Sequence, residues 1–170
     1  MKKIVIVTLA LALLISTFFA SGAISRASAR STTVLEFSSL AGVPRPYTGA
    51  TNAIRGVPGG GRPWVISYAQ GELKSNGKIE LIVRGLVIDP SEPIAAAGTN
   101  PSSSFKIVVS CLSKDATGAA TTVNVSSPLF PADTMGNAMV ETMVDLPSPC
   151  IAPILFVTNP TGSWFAATGN

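Results

Sequence analysis

Histidine is absent from all 170 residues. With it go the usual general base at neutral pH, the commonest metal ligand and every Ser-His-Asp or Cys-His arrangement. Catalysis would fall to carboxylates, a lysine or a tyrosine. The carboxylates Glu36, Glu72, Glu80, Asp89, Glu92, Asp115, Asp133, Glu141 and Asp145 occur singly, without the Asp-x-Asp-x-Asp-Gly spacing of a calcium loop. Charged residues make up 12% of the chain, about half the usual share of roughly 25%. Aromatics are equally sparse at 6%. Beyond the first 29 residues no stretch carries a sustained 3.6-residue apolar period, so amphipathic helices are not expected there.

What the chain does have begins with Met1-Lys2-Lys3, an uncharged apolar run over 4–20, and Ala27-Ser28-Ala29. A basic start, an apolar middle and a small-x-small site in that order predict a signal peptide, helical over 1–29 and cut between Ala29 and Arg30. The run is shorter than the about 20 residues of a comfortable membrane span, so cleavage is expected over anchoring, with no membrane association afterwards. Lys2, Lys3 and Arg26 leave with the signal, and the twelve basic residues fall to nine against nine acidic ones. The net charge of +3 therefore belongs to the leader. The remaining chain has no basic footprint, and a nucleic-acid partner is not expected.

Residues 30–170 are expected to form a single secreted domain. Segments 64–69, 78–88, 105–112 and 151–158 are rich in β-branched and aromatic residues between Gly, Pro, Asn or Ser, the composition of strands. Segment 138–146 alternates, with Ala138, Val140, Thr142, Val144 and Leu146 on one face and Met139, Glu141, Met143 and Asp145 on the other. Shorter candidates are 34–38, 121–126 and 163–167. Asn76-Gly77 predicts a type I′ hairpin turn pairing 71–74 with 78–83, and 159–162 predicts a second hairpin. Short strands with closely spaced turn signals indicate an antiparallel β-sandwich, Ig-like or a related Greek key, with a small β-barrel as the alternative. The long Pro- and Gly-rich connections are 42–62, 89–104 and 128–136.

Cys111 and Cys150 are the only cysteines. An even count in an exported chain predicts a disulfide between them. Arg55-Gly56-Val57-Pro58-Gly59-Gly60-Gly61-Arg62-Pro63-Trp64 is the most unusual stretch. Its glycines could leave N–H groups free for an anion, with Arg55 and Arg62 supplying charge; the plainer reading is a tight corner before a strand. No Lys-Ser/Thr of a phosphate loop follows. Tyr47, Arg55, Gly59, Gly60, Gly61, Arg62 and Trp64 are the candidate binding residues, because long loops carry function on rigid scaffolds. Tyr47, Trp64, Trp164 and Phe165 could form an aromatic platform, although so few large aromatics are needed in the core. Met135, Met139 and Met143 invite a soft-metal reading that fails for want of histidine or a thiolate. No metal or cofactor is expected. Asn124-Val125-Ser126 has the form of a glycosylation acceptor.

Three segments, 54–66, 105–112 and 146–154, together resemble a group of small secreted bacterial β-domain proteins to which no activity is assigned. The resemblance spans most of the chain after residue 29 and implies export, nothing more. The hairpin over 71–86 is faintly similar to that of the chordin-type repeat domain, whose histidine-bearing strand has no counterpart here. The expected function is a secreted, non-catalytic binding or structural module at or beyond the cell envelope, with an envelope or extracellular protein or a glycan as partner. The alternative is a histidine-free secreted hydrolase, which would need two acidic side chains roughly 5–10 Å apart across a cleft.

Overall fold

A computed structural model describes residues 31–169. The expected signal helix over 1–29 lies outside the described residues. Twelve strands follow one another without a helix among the described residues: β1 (Thr33–Phe37), β2 (Ala41–Gly42), β3 (Trp64–Val65), β4 (Tyr68–Lys74), β5 (Lys78–Arg84), β6 (Val87–Ile88), β7 (Ser104–Lys114), β8 (Ala120–Ser126), β9 (Phe130–Pro131), β10 (Ala138–Met143), β11 (Ile151–Thr158) and β12 (Trp164–Ala167). They form two open antiparallel sheets, β1-β4-β5-β10 and β2-β12-β11-β7-β8, with β9 on β7 and a small ribbon β3-β6. The architecture is the β-sandwich, and neither sheet closes into a barrel.

Alternation builds the first layer. In β4 and β5, Ala69, Leu73, Ile79, Leu81 and Val83 point inward and are all but fully buried, while Gln70, Glu80 and Arg84 face water. The second layer is covered on both sides. Phe105, Ile107, Val109, Leu155 and Val157 are fully buried in the shared core, yet Val108 and Phe156 on the opposite face are buried too. Trp164 packs against Phe156, ring centroids 6.0 Å apart, Gly59 bridges to Trp164 along β12, and Ile54 and Val57 join the core. Burying each such side chain stabilises the fold by about 1.5–3 kcal/mol.

Two turns differ from expectation. The β4–β5 connection has three residues, Ser75-Asn76-Gly77, and pairs Leu73 with Ile79. Gly77 has φ 86°, whereas Asn76 has no positive φ. A type I′ turn needs positive φ at both centres, so the turn is instead the three-residue kind that ends on a left-handed glycine. The stretches 64–69 and 78–88 are each cut in two. Gly85, at φ 64°, bends the chain between β5 and β6, and β3 breaks from β4 opposite it. The register nonetheless runs on, from Tyr68↔Arg84 to Val65↔Val87, so this is one long hairpin folded at a corner. The corner carries Trp64 onto Phe165, their rings stacked at 3.7 Å.

Cys111 and Cys150 form the disulfide. It ties β7, at the point where Cys111 opposes Val123 of β8, to the residue that leads into β11. The expected 159–162 hairpin joins β11 to β12, with Gly162 N–H donating to Asn159 O at 3.0 Å.

Candidate functional site

The glycine-rich loop is stitched to the sheet by its own backbone. Gly60 N–H donates to Trp164 O (2.7 Å), Trp164 N–H to Pro58 O (2.8 Å), Gly59 N–H to Gly49 O (2.9 Å) and Gly49 N–H to Gly60 O (3.0 Å). The N–H groups of Gly59 and Gly60 are therefore spent within the fold and do not line an anion cradle. Gly59 is required because a Cβ there would collide with Tyr47 O, and a Cβ on Gly60 would press on the Phe165 ring at 2.9 Å. Of Gly59, Gly60 and Gly61, only Gly61 is exposed, with open space around it.

Arg55 is a clamp. β11 bulges between Ile151 and Ile154, which leaves backbone carbonyls without ladder partners. One guanidinium nitrogen of Arg55 donates to Ala152 O (2.8 Å) and Ser110 O (3.1 Å). Its own carbonyl accepts from the Asn124 amide at 3.0 Å. Among the described residues, Arg55 (φ 48°) and Ala152 (φ 46°) are the two non-glycine residues with left-handed backbone, and the Arg55 guanidinium joins them through Ala152 O. Beneath them the Ser110 hydroxyl is buried without a hydrogen-bond partner among the described residues.

Arg62 behaves differently. It and Arg45 close on Glu92 from the next long loop, at 3.3 and 2.7 Å. The Glu92 side chain is only 8% exposed, while those of Arg45 and Arg62 are 66% and 47% exposed. The Arg45 hydrogen bond holds the Glu92 carboxyl below the ordinary carboxylate value, against the opposing effect of burial. With Tyr47 exposed beside them, Arg45, Tyr47, Gly61 and Arg62 form the open rim of this loop. Trp64, Trp164 and Phe165 are buried in the core and take no part in it. Arg45 and Glu92 were not singled out from sequence; Arg45 between two prolines in the same loop was the available signal.

A second feature lies on the outer face of the first sheet. Register places Glu36, Glu72, Glu80 and Glu141 directly opposite one another across all four strands, where neighbouring Cβ atoms stand about 4.5–5.5 Å apart. They border a groove of about 550 Å³ with Gln70, Ile82 and Met139. Lys78 Nζ bridges Glu80 and Glu141 at 2.8 Å each, and Lys74 holds Glu72 at 2.6 Å. The pairing with Glu141, then Glu80, pushes the Lys78 ammonium's pKa up, and the Lys74 bond leads in pulling Glu72 down. The hydrolase alternative asked for paired carboxyls across a cleft; here the Glu80–Glu141 pair is bridged by Lys78 and Glu72 is held by Lys74, on an open face. A general acid needs a raised carboxyl. Every shift resolved for a carboxyl runs the other way, since Asp89, Asp115 and Asp133 are also held low, by hydrogen bonds from Ser91, Thr117 and Asn137.

Met135, Met139 and Met143 are exposed. Among the described residues no three acidic or cysteine side chains stand close enough to hold a metal ion. Asn124 of the glycosylation-like triplet is engaged with Arg55. No family model, curated protein or solved structure matches the chain.

Proposed function

We propose that the chain is an exported β module that acts outside the cytoplasm by binding or by building structure, not by catalysis, with an envelope or extracellular protein or a glycan as its partner. The observation that carries this reading is the Cys111–Cys150 bridge, a bond kept in oxidising compartments and rare in the cytosol. The rim of Arg45, Tyr47, Gly61 and Arg62 is the surface assigned to recognition, since arginine and tyrosine dominate binding hot spots. Gly59, Gly60 and Trp64 are buried next to that rim, whereas Arg55 clamps the β11 bulge.

The test has two readouts. N-terminal sequencing of protein from the medium is expected to begin at Arg30. Protein spanning 30–170 is expected to co-sediment saturably with the producing cell's envelope fraction, and Arg45→Lys with Arg62→Lys to weaken that retention, because lysine keeps the charge but loses the planar fork. A chain starting at Met1 in membranes, or retention that never saturates, overturns the reading.

A further inference from the structure

β8 is the free edge of the second sheet, and its chemistry is unusual for an edge. Natural edges are blunted by charge, proline or bulges. Residues 120–126 read Ala-Thr-Thr-Val-Asn-Val-Ser, without a charge, a proline or a glycine, and they pair with β7 through seven consecutive residues without a register shift. The first sheet's edges differ: β1 carries Glu36 and a register shift, and β10 carries Glu141 at its middle.

The direction of the free groups follows from the hydrogen bonds at both ends of β8. Ser127 N–H donates to Ile107 O, and Asp115 N–H donates to Ala119 O. Antiparallel alternation between those points turns the backbone of Thr121, Val123 and Val125 toward β7 and that of Ala120, Thr122, Asn124 and Ser126 away from it. These four residues are exposed, and their N–H and C=O groups have no partner among the described residues.

We propose that β8 joins two copies of this chain edge to edge, antiparallel, about a two-fold axis at Val123. In that register Thr122 faces Asn124 of the second copy and Ala120 faces Ser126 of the second copy. Every outward N–H then meets an outward C=O, and no charge opposes a like charge. Such an isologous contact closes at two. The sheet's opposite end is β2, only two residues long and packed closely against the Trp64 backbone, whose N–H donates to Val43 O just beyond it, so it offers no comparable edge. A seven-residue strand is about 23 Å long at roughly 3.3 Å per residue, so the contact falls in the small, transient class of interfaces.

Sedimentation velocity on residues 30–170, from ~10 μM to ~1 mM, spans the affinities such a contact supplies. The wild type is expected to pass from monomer to dimer in that range. Thr122→Pro removes an N–H that the fold does not use, at an edge position that tolerates proline. It is expected to keep the wild-type circular dichroism and melting temperature while weakening dimerisation at least tenfold. A second pair of variants does not depend on proline: Ala120→Lys with Ser126→Lys, and Ala120→Glu with Ser126→Glu, are each expected to stay monomeric and to dimerise when mixed. A wild type monomeric at ~1 mM, a folded Thr122→Pro that dimerises normally, or a mixture that forms no heterodimer overturns the proposal. A monomeric wild type would leave this edge to a strand from a different protein. The envelope reading stands apart, since Thr122→Pro itself can be assayed for co-sedimentation.

Discussion

Replacing Arg55 by alanine separates a structural clamp from a binding residue. The substitution removes two charge-assisted hydrogen bonds, to Ser110 O and Ala152 O. Ala152 is exposed, so water replaces the arginine there at little cost. Ser110 is fully buried in the middle of β7, and a buried carbonyl that loses its donor costs about 1–3 kcal/mol. Adding the lost packing of the side chain's stem, the expected destabilisation is about 2–3 kcal/mol. Backbone strain supplies a second sign. An L-residue in the left-handed region costs roughly 1–2 kcal/mol, and alanine inherits that cost at φ 48° while glycine escapes it. Even after glycine's extra unfolded-chain entropy of about 0.5–1 kcal/mol, Arg55→Gly is expected to be more stable than Arg55→Ala. Urea unfolding followed by tryptophan fluorescence reads both, because Trp64 and Trp164 are buried. Arg55→Ala within about 0.5 kcal/mol of wild type, the scatter of ordinary surface changes, would refute the clamp; Arg55→Gly below Arg55→Ala would refute the strain. Arg62→Ala is the control. Its exposed contact with Glu92 is shared with Arg45, and such pairs contribute about 0–1 kcal/mol.

Three further expectations concern the frame. Cys111→Ala with Cys150→Ala opens a loop with a sequence separation of 39, which corresponds to about 4 kcal/mol of lost restriction on the unfolded chain; calorimetry should show melting lowered by roughly 10–15 °C, and a drop under about 5 °C would contradict the loop-entropy account. Gly77→Ala should destabilise by at least ~2 kcal/mol, because left-handed strain adds to a collision with Val144 O. Gly118→Ala has the same φ with open space around it and should cost only about 1 kcal/mol; equal losses for the two would rule out the collision. For Glu92 the folded carboxyl titrates below the ordinary value of 4.5, so its contribution is present above that pH and lost as pH falls through the lowered folded value. Glu92→Gln should therefore be less stable than wild type at pH 7 and flatter in melting temperature below pH 4.5; parallel profiles would show that the two arginines do not stabilise the charged form.

The strands and the disulfide were legible because alternation and cysteine count are local signals. The hairpin's loop length was legible too, though not from Asn-Gly alone. A two-residue turn at Asn76-Gly77 would set Leu73 opposite Glu80 and turn the apolar residues of β4 and β5 to opposite faces of the sheet. A three-residue loop sets Leu73 opposite Ile79 and Gly71 opposite Leu81, which keeps one face apolar. The side-chain period outranks the dipeptide preference. By contrast, Arg55 and Arg62 look equivalent in sequence, each beside a glycine or proline in one loop. They part only because β11 bulges and exposes carbonyls to one of them, and a bulge made by Ala152-Pro153 has no partner-strand signal in sequence.

The glutamate row was hidden for the same reason: Glu36, Glu72, Glu80 and Glu141 are scattered in the chain and meet only through three registers. Its position explains how a domain with no net charge after residue 29 still guards its sheets. Lys74, Lys78 and the four glutamates gather on one outer face, and two of them sit on the edge strands β1 and β10, where a second copy pairing there would bring carboxylates together. The second sheet receives none of that protection at β8. The uncharged seven-residue edge in unbroken register is the place where a second copy can pair without bringing like charges together, the contact proposed above.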